Sequence, residues 1–118
     1  MSDPDPWLGN DKLYHLLACA AITLATFSAL YAVPRLRRRA RPRVALSALS
    51  GAGAGVAKEI GDSVNLWPFC PCGASGRDLV ADGVGVAAAL ALLLLWQRAC
   101  RRRPPSGAAT PEPVTTTP

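Results

Sequence analysis

At 118 residues the chain has room for one domain, and its net charge of +5 raises nucleic acid or an anionic surface as partners. Half of its residues are hydrophobic, and they fall in concentrated blocks. The basic residues sit flush against those blocks without interleaved aromatics, which argues against nucleic acid and for a membrane.

A bilayer core about 30 Å thick needs roughly 20 mostly apolar residues per spanning helix. Residues 1–10 form a short polar lead with acidic residues, Pro4 and Pro6. A cleavable signal needs positive charge there, so none is expected. Asn10 is expected to cap the first helix, with Asp11 near its positive end. Residues 13–33 make the clearest span, with His15 near its start, and Pro34 ends it. Cys19 inside it reads as a small buried hydrophobe. An arginine loop then runs to Arg43, and Pro42 suits a first helical turn. Residues 44–57 alone are too short to cross; they cross only if the helix continues through Lys58, Glu59 and Asp62 toward Leu66.

Trp67 fits an interfacial anchor, and Pro68 and Pro71 break the chain. Cys70-Pro71-Cys72 lacks the usual two-residue redox spacing and reads as two loop thiols or a disulfide. Ser75 to Asp78 reads as a capping box opening the third helix. Residues 79–96 are apolar after Asp82, and Trp96 marks the far interface. Cys100, among arginines at the membrane edge, suits palmitoylation. The tail from Pro104 is low-complexity. The expected architecture is all-α: a three-helix transmembrane bundle over 11–100, with helices at about 11–33, 43–66 and 76–98, and a disordered C-terminal tail over 101–118.

Charge sets the orientation. Six arginines fill the first loop and four follow the last span, so three crossings put ten of the thirteen basic residues on one side. Seven of the eight acids lie on the other. Lys/Arg excess marks the cytoplasmic side, or the matrix or stroma side of an organelle. The N-terminus is therefore expected outside and the C-terminus inside.

Close packing is expected from small residues at every fourth position. Ala21, Ala25 and Ala29 recur in the first span, Ser47, Gly51 and Gly55 in the second, Gly83, Ala87 and Ala91 in the third. Such faces also admit a homo-oligomer.

The polar residues form a pattern of their own. Asp11 and His15 lie one turn apart, as do Lys58 and Asp62, and Asp78 and Asp82. A rise of about 1.5 Å per residue puts Asp11, Asp62 and Asp78 near the outer interface, and His15, Lys58, Glu59 and Asp82 about one turn deeper. An unpaired charge there would cost about 2.5–3.5 kcal/mol on insertion scales. These seven residues are the expected polar pocket. Each also has a plainer role: Asp78 as a cap, His15 as a hydrogen-bonding group, Lys58, Glu59 and Asp82 as a structural ion-pair network. Lys12 and Arg77 are expected to snorkel at the interface. A histidine among carboxylates suits a hard metal or acid–base work. No nucleophile motif, phosphate loop or zinc spacing appears, so no cofactor or metal is assigned.

Three segments carry a resemblance. Asp11-Lys12-Leu13-Tyr14-His15 resembles the DKxxH opening of VanZ-like and YfiM-like membrane proteins. Residues 55–62, GVAKEIGD, resemble their GxxKExxD segment, and residues 75–85, SGRDLVADGVG, their SxxDxxADxxG segment. The likeness covers residues 11 to about 96 and is greatest to uncharacterised plant members. It implies a small multi-span envelope or membrane protein and carries no settled activity. The lipoprotein label of some bacterial relatives does not fit, because Cys19 has no apolar run before it. The expected function is binding of a lipid headgroup or other polar envelope molecule in the outer-face pocket. The alternatives are a membrane-embedded enzyme with His15 or Glu59 as acid/base, and a purely structural bundle.

Overall fold

The computed structural model describes residues 6–66, 73–103 and 107. The described residues are helical and form no strand: α1 (Asn10–Ala29), a 3-10 turn (Leu30–Ala32), α2 (Pro34–Arg37), α3 (Ala40–Ser63) and α4 (Gly76–Arg102). The three long helices run up, down and up. α1 packs most extensively on α4 and next on α3. One end gathers the starts of α1 and α4 with the close of α3. The opposite end gathers the arginines of the loop before α3 and of the last turns of α4.

Local chemistry accounts for the boundaries. Gly9, not Asn10, is the N-cap of α1, and Asn10 becomes its first helical residue. Pro34 stops the first span and opens the single turn of α2 inside the arginine loop. α3 starts at Ala40, so Pro42 lies in its first turn and Arg43 inside the helix. Its other end comes three residues before the expected one. Asn65 adopts φ 52°, the left-handed conformation, so the Asn65 N–H donates to the Asp62 carbonyl (3.2 Å) and the Leu66 N–H to that of Gly61 (2.9 Å). That pair of bonds closes a helix on a residue tolerant of positive φ. Ser75 caps α4 as expected, its hydroxyl accepting from the Asp78 N–H at 3.4 Å. α4 runs on through Arg101 and Arg102, correcting a tail expected to start at 101; basic residues in a last turn favour continuation. Trp67, Pro68, Cys70, Pro71, Cys72 and the tail at 104–106 and 108–118 lie outside the described residues.

The polarity of the fold is inverted relative to a soluble globule. Leu13, Leu17, Leu49, Ile60, Val80, Leu92 and Leu95 face outward, while Thr23, Arg43, Ser47, Glu59, Asp62, Asp78 and Asp82 are buried. Large exposed apolar surface and buried charge are the informative departures from the usual pattern. α1 and α4 are each long and apolar enough to cross a membrane. α3, at 24 residues, is long enough at about 36 Å but is not among the helices apolar enough, so two of the three expected spans stand among the described residues. Its buried hydroxyls are satisfied internally: Thr23 donates to the Cys19 carbonyl (2.8 Å) on α1, and Ser47 to the Arg43 carbonyl (2.7 Å) on α3.

Two of the three small-residue ladders turn outward. Ala21, Ala25 and Ala29 are exposed, as are Gly83, Ala87 and Ala91. The packing stripes are Cys19, Thr23 and Phe27 on α1, Ser47, Gly51 and Gly55 on α3, and Asp82, Gly85, Val86, Ala89 and Leu93 on α4. Three glycines mark the closest approaches. A Cβ on Gly51 would meet Thr23 and Val86, one on Gly55 would meet Asp82, and one on Gly85 would meet the Leu16 backbone. At the arginine end the Arg43 guanidinium stacks 3.9 Å from the Tyr31 ring centre and 4.7 Å from that of Phe27. A residue expected in a solvated loop is thus a buried part of the bundle, because its planar cation can lie on aromatic faces.

Candidate functional site

Antiparallel packing of α3 against α1 and α4 decides which polar residues meet. His15 comes from the second turn of α1, Lys58, Glu59 and Asp62 from the last turns of α3, and Asp78 and Asp82 from the first turns of α4. All six converge at one end of the bundle.

His15 is the hub. Its Nδ1 lies 3.0 Å from Asp82 Oδ1 and its Nε2 lies 2.8 Å from Lys58 Nζ. Lys58 is an obligate donor, so Nε2 accepts and Nδ1–H donates to Asp82. This pattern assigns a neutral imidazole held between a carboxylate and an ammonium. Lys58 Nζ also pairs with Asp62 at 2.7 Å and lies 3.4 Å from Glu59. Asp78 pairs with Lys12 at 2.6 Å and lies 3.4 Å from His15 Nε2. Glu59 Oε2 accepts the Ser75 N–H at 2.8 Å, tying the end of α3 to the cap of α4.

Of the seven expected residues, Asp11 stands apart. Its side chain is 55% exposed and touches the cluster only through Lys12, at 2.6 Å. Asp62 and Asp78, expected at the interface, join the deeper group: Lys58 pairs with Asp62, and both His15 and Lys58 reach Asp78. Lys12 corrects the snorkelling expectation: it is 6% exposed and turned inward to Asp78. Arg77 lays its guanidinium 5.0 Å from the centre of the Trp7 ring. Cys19 adds a contact that the sequence reading missed. Its thiol is buried and donates to Asp82 Oδ1 at 3.2 Å. The signal was present, since Cys19 lies one turn beyond His15 on the same face.

The cluster is closely packed, and its carboxylates share their cations. Glu59, Asp62, Asp78 and Asp82 are each under 10% exposed. The ammonium groups beside them are Lys12, which is shared between Asp78 and Asp11, and Lys58, which is shared among Asp62, Glu59 and Asp78. Asp82 is 2% exposed and its Oδ2 has no hydrogen-bond partner. One imidazole nitrogen of His15, one oxygen of Glu59 and one of Asp82 lie within 4.8 Å of one another.

A groove of about 290 Å³ opens beside the cluster. Ala18, Ile22 and Ala54 line its apolar length, and His15, Lys58 and Asp82 line its outer end. Lys58 is the most accessible of the charged residues there, with 39% of its side chain exposed. The arrangement can hold an amphipathic molecule, or move a proton at His15 with Asp82 orienting the ring. Comparison of the chain with protein-family models, with curated proteins and with solved structures finds no match.

Proposed function

We propose that this chain is a three-span membrane protein that binds an amphipathic molecule, its polar head at the His15–Lys58–Asp82 end and its apolar part along the groove between α1 and α3. The carrying observation is the continuity of that groove, from an apolar floor to a charged outer end. Ligand sites commonly combine apolar walls with a few convergent polar groups. Ionisable residues inside a membrane bundle are functional by default. The third crossing is supported by the length of α3 and by the outward Leu46, Leu49, Val56 and Ile60. The arginine end lies inside, following the basic-residue excess. Kinship with VanZ-like proteins belongs to the same reading: the polar residues of the three resembling segments, Asp11 apart, are those that converge.

The test is retention of ligand through purification. Protein extracted in mild detergent should carry a polar-headed amphiphile near one per chain, read by mass spectrometry. Ala54→Trp fills the groove and should release the amphiphile while helix content stays unchanged. Protein that emerges without any amphiphile, or an Ala54→Trp variant that keeps it, sinks this reading.

A second reading has one observation in its favour. Asp82 holds His15 by a 3.0 Å bond in the geometry of a base and its orienting carboxylate. An enzyme would convert the retained amphiphile on incubation, and His15→Gln would stop that conversion without releasing it.

A further inference from the structure

We infer that the polar cluster is a site for one divalent first-row transition cation, held by His15, Glu59 and Asp82, and that the neighbouring Lys58 ammonium opposes the ion by its charge. The inference rests on reading this end of the bundle as a binding site, and it names what completes that site. Three helices contribute one ligand each, and the three ligand atoms lie within 4.8 Å of one another. Nitrogen and oxygen ligands bind such ions at about 2.0–2.2 Å, so they sit about 3–4.4 Å apart around a shared centre. Small side-chain rotations close that difference.

Two further observations point the same way. Asp82 Oδ2 is buried without a hydrogen-bond partner, and Asp82 itself lines the groove. Four buried carboxylates share the cluster with two lysines, and among the described residues no lysine is ion-paired with Asp82. An imidazole with two carboxylates suits manganese, iron or zinc better than magnesium or calcium, which take oxygen ligands. The remaining partners resemble an outer shell. The Ser75 N–H orients Glu59, and Asp62 and Asp78 surround the ligands. Lys58 is the mobile member. Its ammonium lies between His15, Glu59 and Asp62, and its side chain is 39% exposed on a flexible stem. An arriving cation repels it toward the groove, where ammonium and metal together favour an anionic head.

The experiment is titration of tag-free protein in mild detergent with Mn²⁺, followed by electron paramagnetic resonance. The chain has a single histidine, so an imidazole nitrogen coupling on bound Mn²⁺ identifies His15. One ion per chain with that coupling is expected. Asp82→Asn and Glu59→Gln should each weaken binding at least about tenfold, and Lys58→Met, which removes the competing charge, should tighten it. If either carboxylate variant fails to fold, the nitrogen coupling in the native chain decides alone. No bound Mn²⁺ in either the native chain or Lys58→Met overturns the inference, as does bound Mn²⁺ that lacks the coupling. An amphiphile retained without Mn²⁺ binding sinks the metal site alone. Mn²⁺ binding with no retained amphiphile sinks the headgroup reading alone.

Discussion

Two glycines on α4, two residues apart, should respond to alanine with opposite signs. A Cβ on Gly85 would fall on the Leu16 carbonyl oxygen, and would lie 2.9 Å from its carbonyl carbon and 3.0 Å from its Cα. These are backbone atoms and cannot rotate away. Ordinary contact begins near 3.4 Å, so α1 and α4 must part by on the order of 1 Å, a gap that forfeits a quarter to a half of each affected dispersion contact. Overpacking of this kind costs about 1–3 kcal/mol, against a helix-propensity gain of about 0.8–1.0 kcal/mol for Gly→Ala. Leu16 adjoins His15, so the same shift also stretches the His15–Asp82 bond. A net loss of about 2 kcal/mol is expected for Gly85→Ala once that bond is included, at about 1 kcal/mol. Gly83 has open space around its Cβ direction, so Gly83→Ala should stabilise by up to about 1 kcal/mol. The assay is loss of helical circular dichroism in mixed micelles of rising denaturing-detergent fraction. A neutral Gly85→Ala, or a destabilising Gly83→Ala, would refute the assignment of the α1–α4 packing face.

Other substitutions address separate parts of the fold, with the same unfolding assay unless stated. Arg43 stacks on two rings, yet its Nε and Nη1 have no hydrogen-bond partner. Arg43→Met should therefore stay within about 1 kcal/mol of native, whereas Arg43→Lys, which cannot stack as a plane, should lose about 1–2 kcal/mol. A larger loss for Met than for Lys would reverse that argument. Asn65 closes α3 at positive φ, so Asn65→Val should cost about 1–2 kcal/mol and Asn65→Gly should cost nothing. For topology, Cys100 is exposed at the arginine end and Gly73 is exposed at the other. Impermeant thiol reagents should reach Cys100 and a Gly73→Cys variant from opposite sides of the membrane. Labelling of both from one side would remove the three-span topology.

The sequence made the helices legible and misled on their rotation. Apolar runs ended by Pro34 and reopened at Ser75 are strong signals, because proline removes a donor and a hydroxyl satisfies one. Rotation is set by contacts between helices, and small residues are common enough to suggest several faces. On α3 the ladder and the charges agree, since Glu59 lies four residues beyond Gly55. On α4 they do not: Gly83 is adjacent to Asp82 and so about 100° around the helix, while Gly85 and Val86 lie on the Asp82 face. Extending the stripe from the ionisable residue would have found Gly85 on α4, and Cys19, Thr23 and Phe27 on α1. A charge in this setting has only one place to point, whereas an alanine has many. Lys12 was misplaced for a related reason. Snorkelling is the cheap choice for a terminal lysine, but a buried carboxylate on a neighbouring helix outweighs it, and that neighbour is visible only in three dimensions.

The balance of charge separates a lock from a site. A network whose only task is to hold three helices together gains most when every buried charge is matched, because an unmatched one adds desolvation cost without attraction. The Lys12–Asp78 and Lys58–Asp62 pairs meet that requirement. Glu59 meets it only in part, since it shares Lys58 with Asp62, and among the described residues no lysine is ion-paired with Asp82. Asp82 draws its contacts from a neutral imidazole and a thiol, and Glu59 draws one from a backbone N–H. These two carboxylates flank the only histidine in the chain and face the end of an apolar groove. A structural bundle would be more stable with Asn or Gln at both positions. On that argument Asp82→Asn and Glu59→Gln should leave the unliganded protein as stable as native or more so, while weakening Mn²⁺ binding. Loss of stability in both variants, with no ion or amphiphile ever bound by the native chain, would return the cluster to a purely structural role.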